Sequence, residues 1–190
     1  MLHLGSLGLL LEPLASTLDE LLRREAGRRL VSLDPNVRPD LITDRAAYPR
    51  RFAEWVALAD VVKASDEDLA WLHPGEPYEA VADRWLASGA GLVLITFGSR
   101  GAWAVCHGGD VHVPAPAVAV VDTVGAGDAF TAGVLAHLHH TGRLDRAGVD
   151  TLGAGELARL LSCAVEIAAD TCTRAGAQPP YRREGVPVSA

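Results

Sequence analysis

The sequence predicts an α/β fold: a three-layer α/β/α sandwich in which helices cover both faces of a mainly parallel sheet. Short apolar runs alternate with amphipathic stretches, which is the order that parallel strands joined by helices produce. Residues 92–97 (LVLITF) form an uninterrupted apolar run, typical of a strand buried on both faces. With 190 residues, 49% of them hydrophobic, the chain can bury a substantial core. We therefore expect residues 1–190 to form a single domain.

The predicted strands are apolar runs between turn signals, and the predicted helices are stretches with apolar residues three or four positions apart. Pro13 marks the start of the first helix. Ser65, with Asp68 three residues later, resembles a helix N-cap with an acid in the first turn. The predicted strands cover residues 2–4, 29–33, 60–63, 92–97, 102–106 and 111–113, the last two forming a hairpin. The helices after the first cover residues 45–58, 69–72, 79–88, 129–140 and 156–171.

Composition and charge favour a small-molecule ligand over a nucleic acid or a membrane. The net charge is −7, Lys63 is the only lysine, and no stretch gathers the arginines into a basic stripe. No apolar run approaches the roughly 20 residues of a membrane-spanning helix. Three cysteines without C-x-x-C spacing fit reduced thiols. We expect no nucleic-acid partner, no membrane association and a cytoplasmic protein.

Residues 121–130 (VDTVGAGDAF) carry the clearest chemistry. Gly125, Ala126 and Gly127 precede a predicted helix, so their backbone N–H groups can point at an oxyanion. Asp128 follows in the first helical turn, where it can take a proton from a group held beside that anion. Phosphoryl transfer to a hydroxyl needs both parts: fixed dipoles for the phosphoryl group and a base for the attacking oxygen.

A purely structural alternative stands beside this interpretation: Asp122 or Thr123 caps a helix and the glycines permit a tight turn. Two other glycine motifs are excluded. A P-loop requires Gly-Lys-Ser/Thr, whereas the only lysine, Lys63, lies far from this segment in the sequence. A dinucleotide fingerprint requires a glycine where Phe130 stands.

The whole segment resembles the D-T-x-G-A-G-D-x-F signature of the PfkB carbohydrate kinases, a ribokinase-like family. The resemblance implies a ribokinase-like fold, with Asp128 as the catalytic base and residues 125–127 as the anion hole. It also implies that Asp122 lies near the phosphates and the monovalent-cation loop of many members, and that Thr123 belongs to the ATP-binding residues.

Further segments match the family in the expected order. Residues 34–38 (DPNVR) resemble the D-x-N-x-R loop of fructokinase-like members, which assigns Asp34, Asn36 and Arg38 to the substrate side; as residues alone, they form an ordinary turn. Residues 171–177 are similar to a segment beside the adenine pocket. The turn T-x-G-x-x-G of the family assigns Thr96, Gly98 and Gly101 to ATP.

Residues 63–68 (KASDED) resemble the family's K-x-N/S-x-x-E segment, which is associated with magnesium and phosphate. Lys63 and Ser65 are thereby assigned to ATP binding and Asp68 to the metal. Asp68 is one methylene shorter than the family's glutamate, and Glu67 is either a substitute or a solvated charge. An N-terminal helix charge explains Asp68 equally well.

The resemblance implies ATP-dependent phosphorylation of a sugar hydroxyl, of the fructokinase or 2-keto-3-deoxygluconate kinase type, with ATP, Mg²⁺ and a monovalent cation such as K⁺. The family's G-G-x-x-N element, first strands and β-sheet lid have no counterpart in this sequence. The alternatives are a nucleotide-binding remnant and one part of a split kinase. An apolar sheet edge would then be exposed, which predicts a homodimer or association with an N-terminal half.

Overall fold

A single six-stranded sheet carries the fold of residues 1–180, the part of the chain that the computed structural model describes. The strands follow one another in chain order across the sheet. The first four are parallel to one another, and the fifth pairs antiparallel with both the fourth and the sixth. They are β1 (Leu2–Gly5), β2 (Val31–Asp34), β3 (Val61–Ser65), β4 (Leu92–Thr96), β5 (Ala102–Cys106) and β6 (Gly109–Val113). All six predicted strands, and the mainly parallel α/β class, are confirmed.

Helices lie on both sides of the sheet. They are α1 (Leu14–Glu25), α2 (Tyr48–Val56), α3 (Asp66–Leu72), α4 (Tyr78–Ser88), α5 (Ala126–His140), α6 (Arg146–Asp150) and α7 (Ala154–Thr171). Helix α5 begins three residues earlier than predicted, which places Gly127 inside its first turn. Helix α6 was not predicted; it is a single short helix whose start is fixed by the Asp145 side chain accepting the Gly148 N–H at 2.7 Å. Within residues 1–180, no helix is long and apolar enough to cross a membrane.

Two hydrophobic cores, one on each face of the sheet, hold the layers together. Alternate residues of each strand point to opposite faces. Val93 and Ile95 of β4 therefore pack in the core formed with helices α1 to α4, whereas Leu92 and Leu94 pack in the core formed with α5 and α7. Each such side chain, at 0–1% exposure, contributes about 1.5–3 kcal/mol through burial.

The four parallel strands end at one edge of the sheet, and this edge positions the candidate site. Strands β2, β3 and β4 end at Asp34, Ser65 and Thr96. In open α/β sheets, ligands bind beyond the carboxyl ends of the strands. The predicted site segments are thus collected at the edge where a ligand is expected.

One lateral border of the sheet is strand β1, which pairs only with β2 among residues 1–180. Apolar side chains near it are about half exposed, namely Met1, Leu7, Leu11 and Leu14. Pairing of this border with another chain stays a prediction.

Helices α5 and α7 approach closely at Gly133, and this contact generates a stability prediction. A Cβ atom at Gly133 would lie 2.9 Å from the Ala164 Cα and 3.1 Å from the Ile167 Cδ1. We expect Gly133→Ala to lower the free energy of unfolding by about 1–3 kcal/mol, because overpacking forces backbone shifts. Urea unfolding followed by circular dichroism measures the change.

Gly155→Ala is the matched control, since Gly155 is also helical and a Cβ there would meet nothing within 4 Å. This variant is expected to be neutral or to stabilise by up to about 1 kcal/mol, because alanine has the higher helix propensity. Equal effects of the two substitutions would contradict the close helix contact.

Candidate active site

The turn before α5 presents backbone N–H groups at the carboxyl edge of the sheet. Gly125 is the N-cap residue and has the left-handed conformation, φ 80° and ψ 0°. A Cβ atom there would lie 2.8 Å from the Ala177 Cβ, so glycine is required by both conformation and space. The Ala126 N–H is occupied by the Thr123 carbonyl at 3.2 Å. The N–H groups of Gly127 and Asp128 have no acceptor among the described residues, as expected for the first helical turn.

Asp128 lies beside these N–H groups, in the first turn of α5 as predicted. Its side chain is exposed, and residues 1–180 provide it with no hydrogen-bond or ion-pair partner. A carboxylate in this position is accessible to a ligand bound at the edge of the sheet.

Asp122 ties the turn to the C-terminal segment 171–177. Its two carboxylate oxygens accept the Val124 N–H at 3.0 Å and the Gly176 N–H at 2.8 Å. These backbone hydrogen bonds lower the pKa of Asp122, and the one from Val124 has the largest effect. The N–H groups of Val121 and Asp122 both donate to the Cys172 carbonyl. The segment 171–177, predicted to lie beside the adenine, therefore packs against the turn before α5, and the Asp122 carboxylate holds the two together.

A buried ion pair joins Asp34, predicted on the substrate side, to Lys63, predicted to bind ATP. The Lys63 Nζ lies 2.9 Å from the Asp34 Oδ2, and both side chains are 6% exposed. Burial raises the pKa of Asp34, and the charge of Lys63 and its hydrogen bond oppose this rise. The same Nζ lies 3.3 Å from the point that a Cβ of Gly127 would occupy. The ammonium group thus lies against the first turn of α5.

The loop after β2 is held by its own side chains. The Asn36 N–H donates to the Asp34 Oδ1 at 3.1 Å, and the Arg38 guanidinium donates to the Asn36 Oδ1 at 2.6 Å. Asn36 has a positive φ of 37°, which asparagine tolerates better than most residues. Asp34, Asn36 and Arg38, predicted together from sequence, form one connected chain of contacts.

Asp68 joins this loop to the start of α3. Its Oδ2 accepts from the Ser65 N–H and hydroxyl at 2.8 and 2.7 Å, and the Ser65 Oγ accepts the Asp68 N–H, completing the predicted cap. Its Oδ1 accepts the Val37 N–H at 2.7 Å. Both oxygens of this buried carboxylate are engaged by the chain itself. No group of three or more His, Cys, Asp or Glu within residues 1–180 could hold a metal, so the magnesium role of Asp68 stays a prediction.

The turn after β4 lies next to Ser65, because Thr96 is the register partner of Ser65. Gly98 and Gly101 have positive φ values of 57° and 95°, and a Cβ at Gly101 would lie 2.0 Å from the Val113 carbonyl oxygen. Arg100 in this turn contacts Asp66 at 2.5 Å. This contact, which has no signature in the sequence, links the turn to the start of α3.

Sequence reasoning missed a histidine on the border strand. His3 of β1 contacts the Ser32 hydroxyl through its Nδ1 at 3.1 Å. Although part of the ring stays exposed, desolvation lowers the pKa of His3; the carboxylates of Asp34 and Asp128 oppose this shift, and Lys63 adds to it. The available signal was a titratable residue at an alternate position of an otherwise apolar strand.

Within residues 1–180, the carboxyl edge of this open α/β sheet carries helix-terminal N–H groups without an acceptor beside an exposed carboxylate, an arrangement suited to an anionic or phosphorylated ligand. The family model "pfkB family carbohydrate kinase" matches residues 1–183. The chain belongs to this family of carbohydrate kinases.

Individual relatives point in the same direction. The chain is 44% identical over 151 residues to a fructokinase of Rhizobium leguminosarum bv. trifolii, covering 80% of this chain and 46% of that protein. It resembles the structure of aminoimidazole riboside kinase from Salmonella enterica complexed with aminoimidazole riboside and an ATP analogue, with a TM-score of 0.78 and 30% identity over 92% of this chain and 57% of the other. For the structure of a Xylella fastidiosa fructokinase with bound ATP, the TM-score is 0.83 and the sequence identity 28%, over 92% of this chain and 56% of the other. The chain spans about half the length of these relatives.

Removal of the Lys63 charge tests the buried pair. Lys63→Met leaves Asp34 without its counter-charge, and we expect the free energy of unfolding at pH 7 to fall by about 3–5 kcal/mol. The pKa of Asp34, already raised by burial, should rise further. A carboxyl whose pKa is raised on folding binds its proton more tightly in the folded chain, so its protonation recovers part of the lost stability as the pH falls. Urea unfolding at pH 7 and at pH 5 measures both effects.

Arg84→Met is the control, because Arg84 pairs with Glu76 at the surface, where such a pair contributes about 0–1 kcal/mol. A loss in Lys63→Met that is the same at both pH values would show that the Asp34 charge is not its cause.

Proposed function

We propose that this chain carries the phosphoryl-transfer centre of an ATP-dependent sugar kinase, with Asp128 as the general base. The observation that carries the proposal is the exposed Asp128 carboxylate in the same helical turn as two N–H groups that find no acceptor in the described part of the chain. Membership of the carbohydrate kinase family supports it.

The reaction follows from these groups. The Asp128 carboxylate takes the proton of a sugar hydroxyl while that oxygen forms a bond to the γ-phosphorus of ATP, and the bond from phosphorus to the ADP oxygen breaks. The N–H groups of Gly127 and Asp128 stabilise the negative charge on the transferred group, helped by the positive end of the α5 dipole. The Lys63 ammonium, which lies against this turn, adds a fixed positive charge. Its pairing with Asp34 keeps it in place.

On the substrate side, we assign Asn36 and Arg38 to sugar contacts and Asp34 to positioning. The Arg38 side chain is exposed and Asn36 is partly exposed, whereas the Asp34 carboxylate is buried against Lys63. Fructose is the first acceptor to test, because several relatives are fructokinases and a Vibrio cholerae fructokinase structure holds fructose, ADP and potassium ion. 2-Keto-3-deoxygluconate is the second.

On the nucleotide side, we assign ATP to the turn at residues 96–101, which lies next to Ser65, and to the segment at 171–177, which contacts the α5 turn through Asp122. In this proposal Thr96, Gly98 and Gly101 contact the phosphates, and Asp122 holds the segment 171–177 in place through the Gly176 N–H. Magnesium bound with the nucleotide would neutralise phosphate charge. Because the Asp68 oxygens are already engaged by Ser65 and Val37, we assign no step to the metal.

Replacement of the base is the direct test. Asp128→Asn should lower kcat with fructose and ATP by about 10²–10⁴-fold, because the amide cannot accept the hydroxyl proton. Binding of a non-hydrolysable ATP analogue, measured by calorimetry, should stay within twofold of the unsubstituted chain. Coupled detection of ADP release measures the rate.

Asp83→Asn is the matched control, since Asp83 is an exposed acid on the outer side of α4 and should leave both quantities unchanged. A near-normal rate in Asp128→Asn would remove Asp128 from the mechanism. Nucleotide binding without turnover by the unsubstituted chain would instead favour a nucleotide-binding protein that performs no transfer.

A further inference from the structure

The border strand β1 presents one side chain to the face of the sheet on which the site is built. Leu4 points into the core beneath helices α1 and α2. His3 and Gly5, at the alternate positions, point to the other face, where they neighbour Ser32 and Asp34 in the register. Gly5 adds no side chain, and a Cβ there would lie 2.5 Å from the Asp34 carbonyl oxygen. His3 is therefore the side chain that β1 contributes to this face.

The imidazole of His3 is oriented by a buried partner. Its Nδ1 lies 3.1 Å from the Ser32 hydroxyl, and Ser32 is 1% exposed. The Nε2 has no partner among residues 1–180, and part of the ring is exposed. A hydrogen bond at one ring nitrogen fixes the orientation of the ring and leaves the other nitrogen for a ligand.

Strand pairing places His3 next to the buried ion pair: its register partner is Ser32, and Asp34, which holds Lys63 at 2.9 Å, lies two residues further along β2 on the same face. The direction of its pKa agrees with this placement: desolvation lowers the pKa of His3, the carboxylates of Asp34 and Asp128 raise it, and the ammonium of Lys63 lowers it. Asp128 is the proposed base, and the other two form the buried pair beside its helical turn. The sugar is proposed to contact the loop 34–38, and His3 faces the same space from β1.

We propose that His3 binds the acceptor: its Nε2 forms a hydrogen bond with a hydroxyl of the polyol, adjacent to the hydroxyl that Asp128 deprotonates. The ligand class is a neutral polyhydroxylated sugar, because a single imidazole nitrogen can donate to or accept from a hydroxyl and the two nearby carboxylates disfavour an anion at this position. The inference rests on the proposed function, to which it adds a specificity residue.

The test uses the full 190-residue chain, labelled with ¹⁵N, and follows the imidazole signals by NMR. His3→Gln identifies which signals belong to His3. We expect the pKa of His3 to be lower in Asp128→Asn than in the unsubstituted chain, since the Asp128 carboxylate raises it. Addition of fructose should shift the His3 signals and the Gly127 amide, whereas an ATP analogue alone should shift only the Gly127 amide.

Kinetics give a second readout. His3→Gln should raise the KM for fructose by about 3- to 10-fold, the effect of one lost hydrogen bond, and leave the KM for ATP unchanged. A variant that merely unfolds would change both constants. His107→Gln is the matched control, because His107 is exposed in the turn between β5 and β6.

Each outcome has a distinct meaning. A His3 pKa that is the same with and without the Asp128 charge would overturn the placement of His3. Fructose that shifts the Gly127 amide but not the His3 signals would overturn the inference and leave the proposed function standing. If neither fructose nor the ATP analogue shifts the Gly127 amide, the proposed function fails, and the assignment of His3 fails with it.

Discussion

The buried ion pair of Asp34 and Lys63 is the contact on which the site depends. It joins the end of β2 to β3 and places the ammonium group against the first turn of α5. Two desolvated charges of opposite sign are costly to separate, because each would be left without compensation in the protein interior. The pair therefore fixes three elements relative to one another: the substrate-side loop, the central strand and the helix terminus. The sheet provides the carboxyl edge, and this pair connects the loop after β2 to the first turn of α5 at that edge.

Three of the four acids at the candidate site hold segments of the chain together, and the fourth is exposed. Asp34 holds Lys63, Asp68 holds the Val37 N–H, and Asp122 holds the Gly176 N–H. Each of these three carboxylates connects segments that are distant in sequence. Asp128 alone is exposed and, within the part of the chain that the structure describes, makes no such contact. The exposed carboxylate proposed as the base thus lies among segments that the other three carboxylates connect to one another.

The strands could be predicted from sequence because strands buried on both faces are continuous apolar runs, as in β4. The position of Asp128 was predictable because the helix after the glycine turn has a strong apolar pattern. Helix α6 was not, since five residues give no periodicity and its start depends on the Asp145 cap. The partner of Lys63 was equally hidden, because it follows from the register of Leu33 with Val62.

The same limit explains why Asp68 and His3 acquire meaning only in three dimensions. From sequence, Asp68 is equally a helix cap or a metal ligand; the structure adds the Val37 N–H, a contact between residues 31 positions apart. His3 stands in an apolar strand, and only the pairing of β1 with β2 shows which face it occupies. Pairwise contacts of this kind are set by packing and leave no local pattern.

Lys63 has one more property: it is the only lysine of the chain, and its side chain is 6% exposed. Within this sequence it is therefore the one side-chain amine that an amine-reactive reagent can modify, and it is enclosed at the candidate site. Acylation of Lys63 requires the pair with Asp34 to open, so its rate follows the local opening of the site rather than global unfolding alone. Acylation of this one lysine therefore reports how often the ion pair at the candidate site opens.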